Sequence, residues 1–256
     1  MIKRNIPNAI TCGNLLCGCL AIVKCFEGDL VWAAYLVGIA AVLDFLDGFA
    51  ARLLNVTSAI GKDLDSLADM VTFGVVPGFI MFKLIDVAAI SSGQTDISDF
   101  GDIWKNANLA TRSCLSYIAF IIPILSAIRL AKFNNDTRQS ESFIGLPTPA
   151  NGIFIACLPL IAAFNKNALV VAVLSSHVGL SILCVFMSLL LLSPIPLFSL
   201  KFKHLNWNGN EIRYVFLIWS GVLLATLQFI GVPLIIISYI LFSLVNNWFF
   251  KPKESR

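Results

Sequence analysis

The sequence predicts an all-α polytopic membrane protein of about eight transmembrane helices with both termini in the cytoplasm, and three observations carry that reading. Hydrophobic residues make up 58% of the 256 residues and charged residues 13%, and a mean hydropathy of +0.85 lies outside the range of soluble domains. The apolar residues are gathered into runs close to the ~17–25 residues that a helix needs to cross a bilayer. The short loops between those runs share their cations unequally.

In chain order, the runs read as helices near residues 9–26, 30–53, 64–90, 109–132, 149–164, 168–192, 212–230 and 232–250, parted at polar or Pro- and Gly-rich breaks. The first follows a basic start, Lys3-Arg4, and ends at Glu27 and Asp29 without a small-residue cleavage site, so it reads as a retained span rather than a signal peptide. The fifth carries Pro159 and is split from the sixth by Asn165-Lys166-Asn167. With the N-terminus inside, thirteen Lys and Arg residues fall on the cytoplasmic side, among them Arg52, Lys62, Arg129, Lys132 and Arg138. Five fall on the other side, whose longest loop also carries Asp96, Asp99 and Asp102. Trp207, Trp248, Phe249 and Phe250 fall near the expected interfaces and read as aromatic belt residues.

Composition also excludes some functions. A net charge of +3 with scattered basic residues gives no stripe for nucleic acid. Of seven cysteines, four sit in the first apolar run with no C-x2-C pair, where they read as small packing residues and neither metal ligands nor disulfide partners. His177 and His204 stand alone and suggest no catalysis.

The chemistry lies between Asp44 and Asp69. An Asp at a helix centre costs about 3 kcal/mol on insertion scales, so several together call for a compensating charge. On a helix, residues three or four apart share a face, which aligns Asp44, Asp47, Gly48, Ala51 and Arg52 on one helix and Asp65 with Asp69 on the next. The expected topology puts the end of the first and the start of the second near the cytoplasmic face. Two antiparallel helices can then bring four carboxylates together, and their repulsion is relieved by a divalent metal or two. With no His or Cys nearby, the oxygen donors suit Mg2+, Mn2+ or Ca2+ rather than Zn2+. Hard ions held this way take their remaining ligands from substrate phosphates, which points to phosphoryl-type transfer. Gly48 and Ala51 leave room for a bulky ligand, and Arg52 supplies a cation suited to a diphosphate oxygen. Asp44 paired with Arg52 alone would be a packing ion pair. Four carboxylates at these spacings ask for more. Asp63, by contrast, sits in a first helical turn where negative charge is favourable in its own right.

The spacing D-x2-D-G-x2-A-R-x8-G-x3-D-x3-D, filled by Asp44, Asp47, Gly48, Ala51, Arg52, Gly61, Asp65 and Asp69, resembles the motif of the CDP-alcohol phosphotransferase family. The resemblance implies an integral membrane enzyme that moves a phosphatidyl or similar group from a CDP-linked lipid to an alcohol and releases CMP. It makes Asp44, Asp47, Asp65 and Asp69 ligands of two divalent ions, with Asp69 also the base. It gives Gly48, Arg52 and Ser58 contacts to the CDP-lipid and makes Gly61 the residue that leaves room for it. The segment Pro7-Asn8-Ala-Ile-Thr11-Cys-Gly-Asn14 resembles the family's first helix, where Asn8 and Thr11 would face the nucleotide, although Asn5 or Asn8 reads equally as a helix cap. Residues 1–192 would then be a six-helix core, and 193–256 a cytoplasmic loop with two further spans.

Three further stretches, 65–77, 127–134 and 143–149, are similar to segments of phosphatidylserine synthases of the CDP-diacylglycerol type. That resemblance implies CDP-diacylglycerol and L-serine as substrates and Mg2+ or Mn2+ as cofactor. It also implies a homodimer, and the unequal loop cations put the site on the cytoplasmic side of the cell (inner) membrane. Arg129 and Lys132 are the cations nearest to the acidic site on that face, and an Arg offers a serine carboxylate a bidentate partner. Arg138 reads as a simple membrane anchor. Glycerol 3-phosphate or an inositol phosphate as acceptor, and a cation transporter using the aspartates as an ion site, are the other readings of the same residues.

Overall fold

The computed structural model describes residues 2–56, 58–91, 113–135, 142–165, 168–198 and 210–249. His204, Trp207, Phe250, Arg138 and the loop acids Asp96, Asp99 and Asp102 lie outside them. So do the loop cations Lys105, Arg112, Lys166, Lys201, Lys203, Lys251, Lys253 and Arg256.

Among the described residues the chain is helical apart from one short strand pair. The first helix, α1 (Ile2–Phe26), begins seven residues before the expected start and carries Pro7 inside it. A proline this near a helix N-terminus removes a single backbone bond, too little to end the helix. The second, α2 (Leu30–Leu53), runs back along α1 from an Asp29 cap, whose side chain accepts from the Trp32 amide. The third, α3 (Ala59–Asp69), also starts earlier than expected. Ser58 is its N-cap and accepts from the Gly61 amide at 3.0 Å.

Immediately after Asp69 the helix widens into a π turn, Met70–Val75, and continues as α4 (Val76–Ser91). The extra residue rotates every later side chain relative to α3, so one continuous rod turns an acidic face to its neighbours at one end and an apolar face to the core along the rest. In its apolar 18-residue window this rod is 72% buried, against 28% and 33% for the windows of α1 and α2, which makes it the axis of the fold.

Close helix approach to the π turn depends on missing side chains. A Cβ on Gly18 of α1 would come within 2.5 Å of Thr72 Oγ1, and one on Gly152 would lie 2.9 Å from Phe73 Cα. Gly152 belongs to α6 (Thr148–Phe164). Between them in sequence, a 3-10 turn (Cys114–Phe120) leads into α5 (Ile121–Asn135), which packs antiparallel to the central rod. Asp86, buried in α4, accepts from the Ser113 amide at 3.2 Å and Ser116 Oγ at 3.3 Å and so ties α4 to that entry.

The sixth expected helix is two. The short α7 (Ala168–Leu174) stops at Ser175-Ser176, where Ser176 caps α8 (His177–Leu192) by accepting from the Gly179 amide. The all-α expectation misses one feature, an antiparallel pair between β1 (Ser142–Ile144) and β2 (Pro196–Phe198) in register Phe143↔Leu197. Gly145, at φ +78°, makes the turn out of β1, where a Cβ would meet Leu191 O at 2.5 Å. The last two helices, α9 (Glu211–Leu227) and α10 (Gly231–Phe249), form a hairpin. Tyr239 Oη donates to Phe198 O at 2.7 Å and Asn247 donates to Pro196 O, fastening the hairpin to β2.

The core gathers Phe73, Ile80, Leu84, Ile85, Ile122 and Ile155 from the central rod, α5 and α6. Exposed large apolar residues such as Leu16, Trp32, Val42, Phe45, Ile182 and Leu241 cover the outer helices. Among the described residues five helical stretches are long and apolar enough to cross a membrane, the α9–α10 hairpin counting as one, and α6 and α8 are shorter apolar helices.

Candidate active site

The acidic residues meet where α1, α2 and α3 converge. Carboxylate oxygens of Asp44, Asp47 and Asp65 lie within 4.8 Å of one another, and Asp69 follows one helical turn after Asp65 on α3. Asp47 and Asp69 are buried, at 6% and 8% exposure. So many carboxylates in a low-dielectric setting repel one another and demand positive charge. An all-oxygen donor set of this size fits a hard divalent ion such as Mg2+ or Mn2+.

The first helix orients these carboxylates. Thr11 Oγ1 lies 2.6 Å from Asp47 Oδ2 and 3.0 Å from Pro7 O. Its single proton is best placed on the charged acceptor. Asn14 Nδ2 donates to Asp69 Oδ1 at 3.4 Å, and Thr72 Oγ1 donates to Asn14 O at 3.3 Å, so the start of the π turn and α1 hold Asp69 between them. Asn14 was missing from the sequence-derived site residues. Its place three residues after Thr11, on the face shared with Asn8, is the signal that marks it.

A cavity of about 540 Å3 opens beside the cluster. Its walls include Asn8, Thr11, Asp47, Gly48, Ala51, Ser58, Gly61 and Asp65, which brings together most of the residues read from the motif. A Cβ at Gly48 would meet nothing within 4 Å, so that wall is open space. A Cβ at Gly61 would lie 2.9 Å from Ser58 Oγ and 3.0 Å from Asn8 Oδ1, so Gly61 lets α1 close over α3. Lys62 also lines the cavity, and Nζ donates to Asn134 O at 3.1 Å. Arg52 is not among the lining residues. It is exposed, and Nε donates back to Gly48 O at 2.9 Å.

The two cations of α5 differ sharply. Lys132 is exposed, whereas Arg129 is 5% exposed. The Arg129 guanidinium sits 5.4 Å from the Phe133 ring centre, and Nε has no hydrogen-bond partner. Among the described residues no carboxylate pairs with it. Asn134 reaches Ser66 Oγ at 2.8 Å, and Ser126 Cβ is 3.2 Å from the place a Gly74 Cβ would take. Those two contacts bracket Arg129 at the height of Asp69.

The sequence model of the CDP-alcohol phosphatidyltransferase family matches residues 4–192. The chain is similar to the CDP-diacylglycerol–serine O-phosphatidyltransferase of Bacillus subtilis, 33% identical over 206 residues that cover 80% of this chain and 94% of the relative. The Helicobacter pylori (strain J99) protein of the same name is 34% identical over 157 residues, covering 60% of this chain and 57% of the relative. That of Methanocaldococcus jannaschii is 27% identical over 211 residues, covering 82% and 79%. With the acidic motif assembled around a cavity and the match spanning most of its helices, the chain belongs to the CDP-alcohol phosphatidyltransferase family.

Proposed function

We propose that this chain transfers the phosphatidyl group of CDP-diacylglycerol to the hydroxyl of L-serine, giving phosphatidylserine and CMP. The observation that carries the reading is a buried Arg129, level with Asp69, that no carboxylate pairs with among the described residues. A buried guanidinium left without an anion is costly, so it fits a site whose anion arrives with the substrate. The names of the similar proteins agree with serine as that substrate.

In this reading the nucleotide and diphosphate occupy the cavity against Asn8, Thr11, Gly48, Ala51, Ser58 and Gly61, with Arg52 and Lys62 at its mouth, and the acyl chains extend into lipid. Asp44, Asp47, Asp65 and Asp69 would hold two Mg2+ or Mn2+ ions, which when bound neutralise charge on the diphosphate. Arg129 holds the serine carboxylate, with Lys132 adding a second positive charge at the entrance. Asp69 takes the hydroxyl proton through Oδ2, since Oδ1 accepts from Asn14. The serine oxygen bonds to the lipid-side phosphorus, the bond from that phosphorus to the bridging oxygen breaks, and the electron pair leaves with CMP.

A phosphorylated acceptor would need a denser basic pocket than one buried Arg supplies. A transported cation would meet repulsion from Arg129 and Lys62. The eight apolar helical segments cross the membrane eight times, both termini and the acidic site face the cytoplasm, and the protein works as a homodimer in the cell (inner) membrane. Residues 1–192 form the catalytic core, and 193–256 add the two-helix hairpin. Purified protein given labelled CDP-diacylglycerol, Mn2+ and a panel of alcohols should release CMP in a serine-dependent way. Release with glycerol 3-phosphate or inositol phosphate and none with serine would overturn the assignment.

A further inference from the structure

Four side chains on α5 and α6 are almost fully buried and have polar atoms without a hydrogen-bond partner among the described residues. They are Ser126 (0% exposed), Arg129 (5%), Thr148 (2%) and Asn151 (0%), and Asn151 lacks a partner for both Nδ2 and Oδ1. Buried polar groups in folded proteins are almost always paired, and an amide with neither end satisfied weakens the fold. These four share one region. Ser126 packs on Gly74, and Gly152, the residue after Asn151, packs on Phe73, so both helices meet the π turn that directly follows Asp69. Thr148 and Asn151 lie three residues apart on one face of α6, as Ser126 and Arg129 do on α5. π turns recur at functional sites.

We propose that Asn151, with Thr148 and Ser126, is the part of this region that selects the acceptor, by supplying neutral oxygen acceptors to its α-ammonium group while Arg129 takes its carboxylate. This rests on the serine reading above and deepens it. One cation set among neutral acceptors matches a small zwitterion, whose charges cancel. It does not match a phosphorylated alcohol, which would leave negative charge uncompensated, nor a simple alcohol, which would leave Arg129 unpaired. The unsatisfied amide of Asn151 is then the cost of a contact that only the bound acceptor completes.

The test compares wild type with Asn151→Leu, which keeps the branched shape of the side chain and replaces both polar atoms with methyl groups. CMP release from CDP-diacylglycerol is measured with L-serine and with 3-hydroxypropanoate, which lacks the ammonium group. Asn151→Leu should raise KM for serine at least tenfold, leave KM for CDP-diacylglycerol unchanged, and lower the preference for serine over 3-hydroxypropanoate by about the same factor. Its thermal midpoint without serine should stay level or rise, and the increase that serine gives wild type should disappear. Asn151→Asp restores an acceptor oxygen and should recover the preference for serine. An unchanged preference in Asn151→Leu, or a fall in midpoint with KM rising equally for both substrates, overturns the inference and assigns Asn151 to packing. Wild type that releases no CMP with serine overturns the parent reading instead.

Discussion

Thr11→Val tests whether α1 tunes the carboxylates that would hold the metals. Valine keeps the shape of threonine and removes the hydroxyl that approaches Asp47 Oδ2 at 2.6 Å. Asp47 is only 6% exposed, so water cannot easily replace the lost donor. A hydrogen bond to a charged group contributes about 1.5–3 kcal/mol, and about 1.4 kcal/mol corresponds to a tenfold change in an equilibrium constant. The metal requirement should therefore rise about 10- to 100-fold, in line with the loss seen when a group supporting a metal ligand is removed. The assay is CMP release against free Mn2+ at saturating CDP-diacylglycerol and serine. The half-saturating Mn2+ should shift upward while the plateau rate stays within a few-fold of wild type. An unmoved half-saturation with a collapsed plateau would refute the reasoning, because the hydroxyl would then act on the substrate rather than on Asp47.

Asp69→Asn keeps an acceptor for Asn14 but cannot take a proton, so turnover should fall about 10²–10⁴-fold while CDP-diacylglycerol still binds; wild-type rates would remove Asp69 from the base role. Arg129→Ala should raise KM for serine far more than KM for CDP-diacylglycerol, and equal effects would count against a carboxylate contact. Two glycine substitutions should part in kind. At Gly61 the added Cβ meets the ends of Ser58 and Asn8, which can rotate, so Gly61→Ala should weaken CDP-diacylglycerol binding with little loss of stability. At Gly152 it meets the Phe73 backbone, so Gly152→Ala should destabilise the fold by about 1–3 kcal/mol in a denaturation assay; the reverse pattern would contradict the packing described here. Tyr239→Phe removes the bond to Phe198 O and should cost about 1 kcal/mol by the same assay, and a loss too small to measure would show that the hairpin is held without it.

What could be read from the sequence follows from how local the signal is. The helical segments and the acidic face were legible because hydropathy runs and three- and four-residue spacings are short-range, and Asp44, Asp47 and Asp65 converge as that periodicity requires. The π turn was not legible. Nothing in Met70-Val-Thr-Phe-Gly-Val75 announces an extra residue per turn, and it forms where Thr72, Phe73 and Gly74 are each packed by a different helix: α1 at Gly18, α6 at Gly152 and α5 at Ser126. The β1–β2 pair escaped for a related reason, since its strands are three residues long and more than fifty positions apart in sequence. Arg129 and Lys132 looked alike, being three residues apart at one helix end, and only the fold makes one buried and the other exposed. The π turn gives that difference its consequence. By rotating the rod after Asp69, it leaves the acidic face of α3 against α1 and α2 while α5 and α6 close on the next turn. In the proposed mechanism the carboxylates that would hold the metals and the acceptor contacts thus occupy two sides of a single helix. Asp69 lies at the junction with one oxygen held by Asn14, and it is the residue that mechanism uses on both sides.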